Sequence, residues 1–341
     1  MREKRRRNTG KSTLADVARR VGVSAMTASR ALRMPEKVSP VLREKIATAM
    51  AELDYVPNLA ASALASATSR LILMVVPSFA TPGCALVSEA LQTVLKQEAY
   101  GMMLVEANHS ASGERQLIER LLAYHPAGMV HFNFDSTDEG RRLLINAGLP
   151  VMQVGALPAQ PLNVSVGVDY AEAVAALVHQ LSQSGYRHLG LLCSQTSPTI
   201  LKQIMHGWHR AMLAVNHSPH RVIAATEPPT FATGHQRLPE IRMTWPELDA
   251  LICTTDEVAC GVIMACHAEG VDVPSQLAVA SIGGGDLSAV CSPPLTTVAL
   301  PYRQMGRLAG EQLLAALAGE EVESRQPLPA PLVVRASTRQ R

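Results

Sequence analysis

Between Thr13 and Leu32 the apolar positions repeat at helical spacing, with Leu14, Val17 and Ala18 on one face and Val21 and Val23 closing over it from a tight turn at Gly22. The spacing predicts two short helices around that turn. Ser24 stands where a second helix would be capped, which leaves Ala25, Met26, Thr27, Ser29 and Arg30 facing outward. A third helix follows over residues 40–53, its stripe made by Val41, Leu42, Ile46, Met50 and Leu53. Tyr55-Val56-Pro57-Asn58 breaks the pattern, and the alanine-rich run after it predicts a short helix that is marginal alone.

From Leu71 the pattern changes to strands alternating with amphipathic helices. Strands are expected at 71–76, around 100–107, and at 127–134, 150–154, 189–193, 250–254, 277–282 and 296–300. Helices are expected at 86–97, 114–123, 140–147, 171–184, 203–215, 257–269 and 306–317, with a polar loop through Pro228 and Pro229. The expected fold is an all-α three-helix helix-turn-helix head plus an α/β core of two doubly wound parallel-sheet lobes. Head, hinge and core are expected at 1–56, 57–69 and 70–341, with lobes of 70–160 plus 291–322 and 161–290 plus 323–341. Ligands of such sheets sit outside the carboxyl ends of the strands, so a cleft between lobes is the expected site.

Charge changes the picture. The first 70 residues hold 14 Lys and Arg against 6 Asp and Glu, and the remainder holds 17 against 23, so a near-neutral chain conceals a basic head. A basic helix-turn-helix neutralises phosphates and lays its second helix in the major groove of DNA. The run from Arg2 to Arg7 is either a solubilising tail or a further phosphate contact. At 341 residues and 47% hydrophobic content the chain can bury real cores. It has neither a signal peptide nor an apolar run of about 20 residues, so a soluble cytoplasmic protein is expected, with no membrane contact. Six scattered cysteines without a CxxC pair indicate reduced thiols rather than disulfides.

The runs TLADVARRVGVSAMTASRAL, VSPVLREKIATAMAELDYVPN, TTDEVACGV, VPSQLAVASIGGGD and PPLTTV together resemble the lactose-repressor (LacI/GalR) family of bacterial transcription regulators across nearly the whole chain. ASIGGGD and GVSAMTASRALRMPEKVS are most similar to its gluconate-repressor branch. The resemblance implies a DNA-binding head, a hinge helix and a periplasmic-binding-protein-like core that forms a homodimer and binds a small effector. Two heads on a dimer would read a palindromic operator in double-stranded DNA. By position, Ala25, Met26 and Arg30 match the family's base contacts, Ser24, Thr27 and Ser29 its phosphate contacts, and Leu64 its minor-groove wedge, while Asn58 is a further candidate DNA contact. Arg30 can donate a bidentate pair to guanine, whereas Ala25 and Met26 offer only apolar contact.

Candidate effector residues are Ser78, Lys202, Phe231, Thr255, Asp256 and Asp286. The family's effector-gripping arginine, three residues before a Gly-aromatic pair, is replaced here by Ile204 before Gly207-Trp208. Lys202 is then either the partner of a sugar-acid carboxylate or a solvated helix lysine. Asp256 can accept hydrogen bonds from a polyol or serve a helix start, Asp286 follows a glycine loop, and Ser78 and Phe231 fall on expected cleft loops. That glycine loop lacks the lysine and spacing of a phosphate loop. His206 and His209 lack a third ligand, so no metal or cofactor is expected. No catalytic motif is present. The reading is a repressor of a sugar-acid utilisation operon relieved by effector. Its alternatives are a corepressor-dependent regulator, or an enzyme or sugar-binding protein on the same core.

Overall fold

The computed structural model describes residues 12–34, 37–57, 69–107 and 111–339. The chain divides into two compact units, residues 1–69 and 70–341. The expected hinge, with Asn58 and Leu64, lies outside the described residues apart from Pro57 and Ser69.

The first unit holds α1 (Leu14–Val21), α2 (Ala25–Arg33) and α3 (Pro40–Glu52). Thr13 and Asp16 form a reciprocal capping box at the start of α1, and Gly22 ends that helix at φ +78°, a conformation that glycine adopts without strain. Val17, Ala31, Ile46 and Ala49 form the small core, with Arg20 and Glu52 paired between α1 and α3. Val41, expected in the α3 stripe, is exposed instead: the buried positions are Ile46 and Ala49, and Val41 falls on another side of the helix.

The second unit contains two six-stranded sheets. β1 (Leu71–Val76), β2 (Gly101–Glu106), β3 (Gly128–Phe132), β4 (Val151–Ala156) and β5 (Val164–Val168) alternate with α4 (Cys84–Gln97), α5 (Ala111–Leu122) and α6 (Asp138–Ala147). Next come α7 (Tyr170–Gln183), β6 (Leu189–Cys193), α8 (Pro198–Ala214), β7 (Val222–Ala224), α9 (Phe231–Thr244), β8 (Ala250–Cys253), α10 (Asp256–Ala268), β9 (Ala278–Gly283), α11 (Asp286–Val290) and β10 (Thr296–Ala299). The chain closes with α12 (Tyr302–Ala318), β11 (Arg325–Pro327) and β12 (Leu332–Val333). The sheet orders are β11-β5-β4-β3-β1-β2 and β12-β10-β9-β8-β6-β7, parallel throughout except for β12 against β10.

This topology corrects the expected lobe boundaries. β5 and β11 belong to the first sheet and β10 to the second, so the chain crosses between lobes after β5, after β10 and between β11 and β12. β5 went unread because its SVGV core lacks a long apolar run, and β11 because it has three residues, one of them proline. The strand β7 and the helix α9 were also absent from the expected elements. α9 keeps Pro239 in its interior, yet buries Leu238 and Ile241. Gly234 and Gly261 let α9 and α10 approach so closely that a Cβ at either would strike the other helix's backbone.

Candidate nucleic-acid interface and ligand cavity

Ser24 caps α2, its hydroxyl accepting from the amide of Thr27 at 3.1 Å and lying 2.9 Å from the Thr27 hydroxyl. Burial of Ala28 and Ala31 fixes the rotation of the helix. Ala25, Met26 and Arg30 are therefore exposed, and Thr27 and Ser29 half-buried beside them. An exposed methionine beside an arginine on a capped helix can touch a thymine methyl and donate to guanine.

In the second unit a cavity of about 280 Å³ opens where strands of both sheets end. Ser78 follows β1 and Asn133 follows β3, while Gln195 to Ser197 follow β6, Thr254 and Thr255 follow β8, and Leu300 follows β10. Helix starts supply most of the remaining wall: Tyr170 opens α7, Ser197 caps α8, Thr230 caps α9 and Tyr302 opens α12. Gly83, at φ +78°, makes room for the Tyr302 ring, which also packs edge-on against Phe132. At the rim, Asp135 accepts from the Thr199 amide at 2.7 Å and the Gln203 amide donates to the Leu157 carbonyl at 2.9 Å, which ties the lobes together.

The structure sorts the candidate effector residues. Ser78 and Thr255 line this cavity, although Thr255 also caps α10 by accepting from the Val258 amide. Lys202 does not line it: the side chain is exposed on α8, whose cavity side is Ile200 and Ile204. The helix begins at Pro198 rather than 203, and residue 202 falls about 200° around the axis from both isoleucines. Phe231 is also outside the wall, because its backbone is pressed against Gly261 and its ring is 43% exposed.

Asp256 and Asp286 line a neighbouring cavity of about 330 Å³ together with Glu257. Asp256 is buried with both oxygens occupied: Oδ1 accepts from Ser281 at 2.5 Å and Thr297 at 3.0 Å, and Oδ2 from the Gly285 amide at 2.8 Å. These bonds join the start of α10 to β9, to β10 and to the glycine loop after β9. Burial raises the Glu257 carboxyl above its ordinary pKa. Asp286 is exposed.

Sequence reasoning missed Tyr170, Tyr302, Asn133 and Gln195. Their signal was position alone, one to three residues beyond a strand end. Nearby His131 is buried and held down to about 4 by desolvation. Among the described residues no cluster of His, Cys, Asp or Glu could hold a metal ion, and no helix is long and apolar enough to cross a membrane.

A capped reading helix on one unit and a cavity between two α/β lobes on the other define a ligand-responsive DNA-binding regulator. Residues 13–58 match the bacterial regulatory proteins of the lacI family, and residues 178–338 match the periplasmic binding protein-like domain. The chain belongs to the lacI family. It is 34% identical to the HTH-type transcriptional regulator GntR of Escherichia coli (strain K12) over 91% of this chain and 93% of that one. Identity is again 34% with the GntR regulator of Pseudomonas aeruginosa, over 98% of each. In fold, the chain is similar to the crystal structure of the lac repressor dimer bound to operator and the anti-inducer ONPF, at a TM-score of 0.83 and 24% identity, covering 96% of this chain and 99% of that one. This chain is thus a DNA-binding transcriptional repressor with a ligand-binding core, in a family of regulators rather than enzymes.

Proposed function

We propose that this repressor acts in the cytoplasm as a homodimer on a palindromic operator of a sugar or sugar-acid utilisation operon, and that an effector in the inter-lobe cavity relieves repression. The observation that carries this reading is the cavity itself, whose polar wall consists of hydroxyl and amide side chains suited to a polyhydroxylated molecule. Residues 1–56 read DNA, 57–69 form the hinge and 70–341 sense the ligand and dimerise. Arg30 reads guanine, Ala25 and Met26 make apolar base contacts, and Ser24, Thr27, Ser29 and Asn58 contact the DNA around them, with Leu64 as the minor-groove wedge. Effector occupancy shifts a population between arrangements that do and do not grip the operator; a 100-fold preference corresponds to about 2.7 kcal/mol.

Footprinting across the promoter regions flanking the gene, with and without sugars and sugar acids, tests the proposal. The expected result is a protected palindrome that at least one compound releases. Protection that no compound alters would contradict effector relief, and strengthened protection would reverse its sign.

A further inference from the structure

Of the six cysteines, Cys84, Cys193, Cys253, Cys260 and Cys266 are buried, and Cys291 alone is half-buried. A buried, solitary thiol behaves as a small apolar side chain and is inert. Cys260 and Cys291 depart from that pattern because the fold brings them together from separate elements. Cys260 lies on α10 inside the apolar cluster of the second sheet, and Cys291, directly after α11, packs against the same cluster.

The Cys260 thiol donates to the Cys291 sulfur, and the Cys291 thiol in turn faces the carbonyls of Pro293 at 3.3 Å and Ser288 at 3.8 Å. Burial first, and then the neighbouring Cys291, raise the Cys260 thiol above its ordinary range, so it stays protonated. The two members are therefore unequal: one reachable from solvent, one sealed behind it.

The loop that carries Cys291 is held from both sides. Arg335 donates to the Ser288 hydroxyl at 3.1 Å and to the Leu295 carbonyl at 2.7 Å, and the Leu295 amide donates to the Ser288 carbonyl at 2.7 Å. This closes the loop around Cys291 and sets a guanidinium against it, and nearby positive charge favours a thiolate. α10 and α11 already share one tie, from Asp256 to the Gly285 amide at the start of α11. A bond between Cys260 and Cys291 would add a second at its end. Gly285, Asp286 and Leu287 line the smaller cavity, so the two ties together would fix one side of it.

We propose that Cys291 and Cys260 form a reversible modification site for hydroperoxides, in which an intrachain disulfide locks α11 onto α10. The Cys291 thiolate attacks the hydroperoxide, the O–O bond breaks, the alcohol (water, for hydrogen peroxide) leaves with the thiol proton, and a sulfenic acid forms on Cys291. The Cys260 sulfur then attacks the Cys291 sulfur, and the departing hydroxide takes the Cys260 proton as water. Two thiols are oxidised and one hydroperoxide is reduced to alcohol and water. Thiol reductants reverse the bond by exchange, and in a reducing compartment it is transient, so the free thiols of this structure are the resting form.

Treatment of the folded full chain with hydrogen peroxide, followed by alkylation and peptide mass spectrometry without reductant, tests the proposal. A peptide linking Cys260 to Cys291 is expected, formed at least about tenfold faster than any change at the buried thiols outside the pair. Dithiothreitol should remove it, and oxidation should raise the thermal midpoint by about 5 °C. Cys291→Ser should abolish the fast reaction, whereas Cys260→Ser should leave a sulfenic acid on Cys291 that dimedone traps. Thiols that peroxide leaves unchanged, a cross-link between two chains on a non-reducing gel, a linkage through another cysteine, or a midpoint that does not rise would overturn it.

Discussion

The reading helix and the cavity wall are both built from capped helix starts, yet they handle charge in opposite ways. The sequence of the first 70 residues carries an excess of eight positive charges, and Arg30 on α2 stands exposed. Among the described residues the cavity wall has no lysine, arginine or histidine, and the adjoining cavity carries Asp256, Glu257 and Asp286. Serine and threonine caps serve both places, but next to an exposed arginine they support binding to a polyanion, whereas in an enclosed wall they present hydroxyls to a small molecule. Local capping chemistry is therefore neutral as to ligand, and the surrounding charge decides.

The largest expected effect comes from removing a carboxylate that serves the fold. Asp256→Ala strands the Ser281 and Thr297 hydroxyls and the Gly285 amide, and should cost about 3–5 kcal/mol in denaturant unfolding of the core. A loss below about 1 kcal/mol would return Asp256 to the list of residues free for ligand. Acid should act on the same unit. His131 is held down to about 4 against an ordinary 6.5, so between those values the unfolded chain binds the proton first and the fold loses up to about 3 kcal/mol as pH falls. Above pH 6.5 the residue contributes nothing to this dependence. His131→Phe should flatten the calorimetric stability profile in that window, and an unchanged slope would assign it to other groups.

Smaller effects are expected in the head. Arg30→Ala should lower operator preference by about 1–3 kcal/mol while salt-sensitive binding to random DNA persists, as read by anisotropy at several salt concentrations. Equal losses on operator and random DNA would make Arg30 a phosphate contact. Ser24→Ala removes the α2 cap and should cost about 1 kcal/mol of head stability, checked by the melting of helical circular dichroism. No change would mean that the Thr27 amide is satisfied in another way.

These contrasts also explain what the sequence revealed. Ser24, Gly22 and the Val17 face act within a few residues of one another, so the paired helices could be read directly. The alternating units of the core were legible for the same reason, since each strand and amphipathic helix carries its own period. α9 was not, because Pro239 reads as a breaker and the helix depends on Gly234 packing against α10. Of the two readings left open for Lys202, the exposed position on α8 fits the solvated lysine, and the helix start at Pro198 that sets its direction lies five residues before the expected one. The role of Asp256 depends on Ser281 and Thr297, 25 and 41 residues away, and no local pattern encodes those partners. Tyr170 and Tyr302 resemble ordinary core aromatics until the two sheets bring them to one wall.

The central claim is that the head grips one DNA sequence and that occupancy of the cavity changes this grip. Its most direct test is a titration of the full chain against its protected operator fragment and a scrambled fragment of equal length, each with and without a compound shown by calorimetry to bind the protein. Binding to the operator alone should be tight and should weaken when the compound is present, with little change on the scrambled DNA. Equal affinity for both fragments, or an operator affinity that the bound compound leaves untouched, would contradict it.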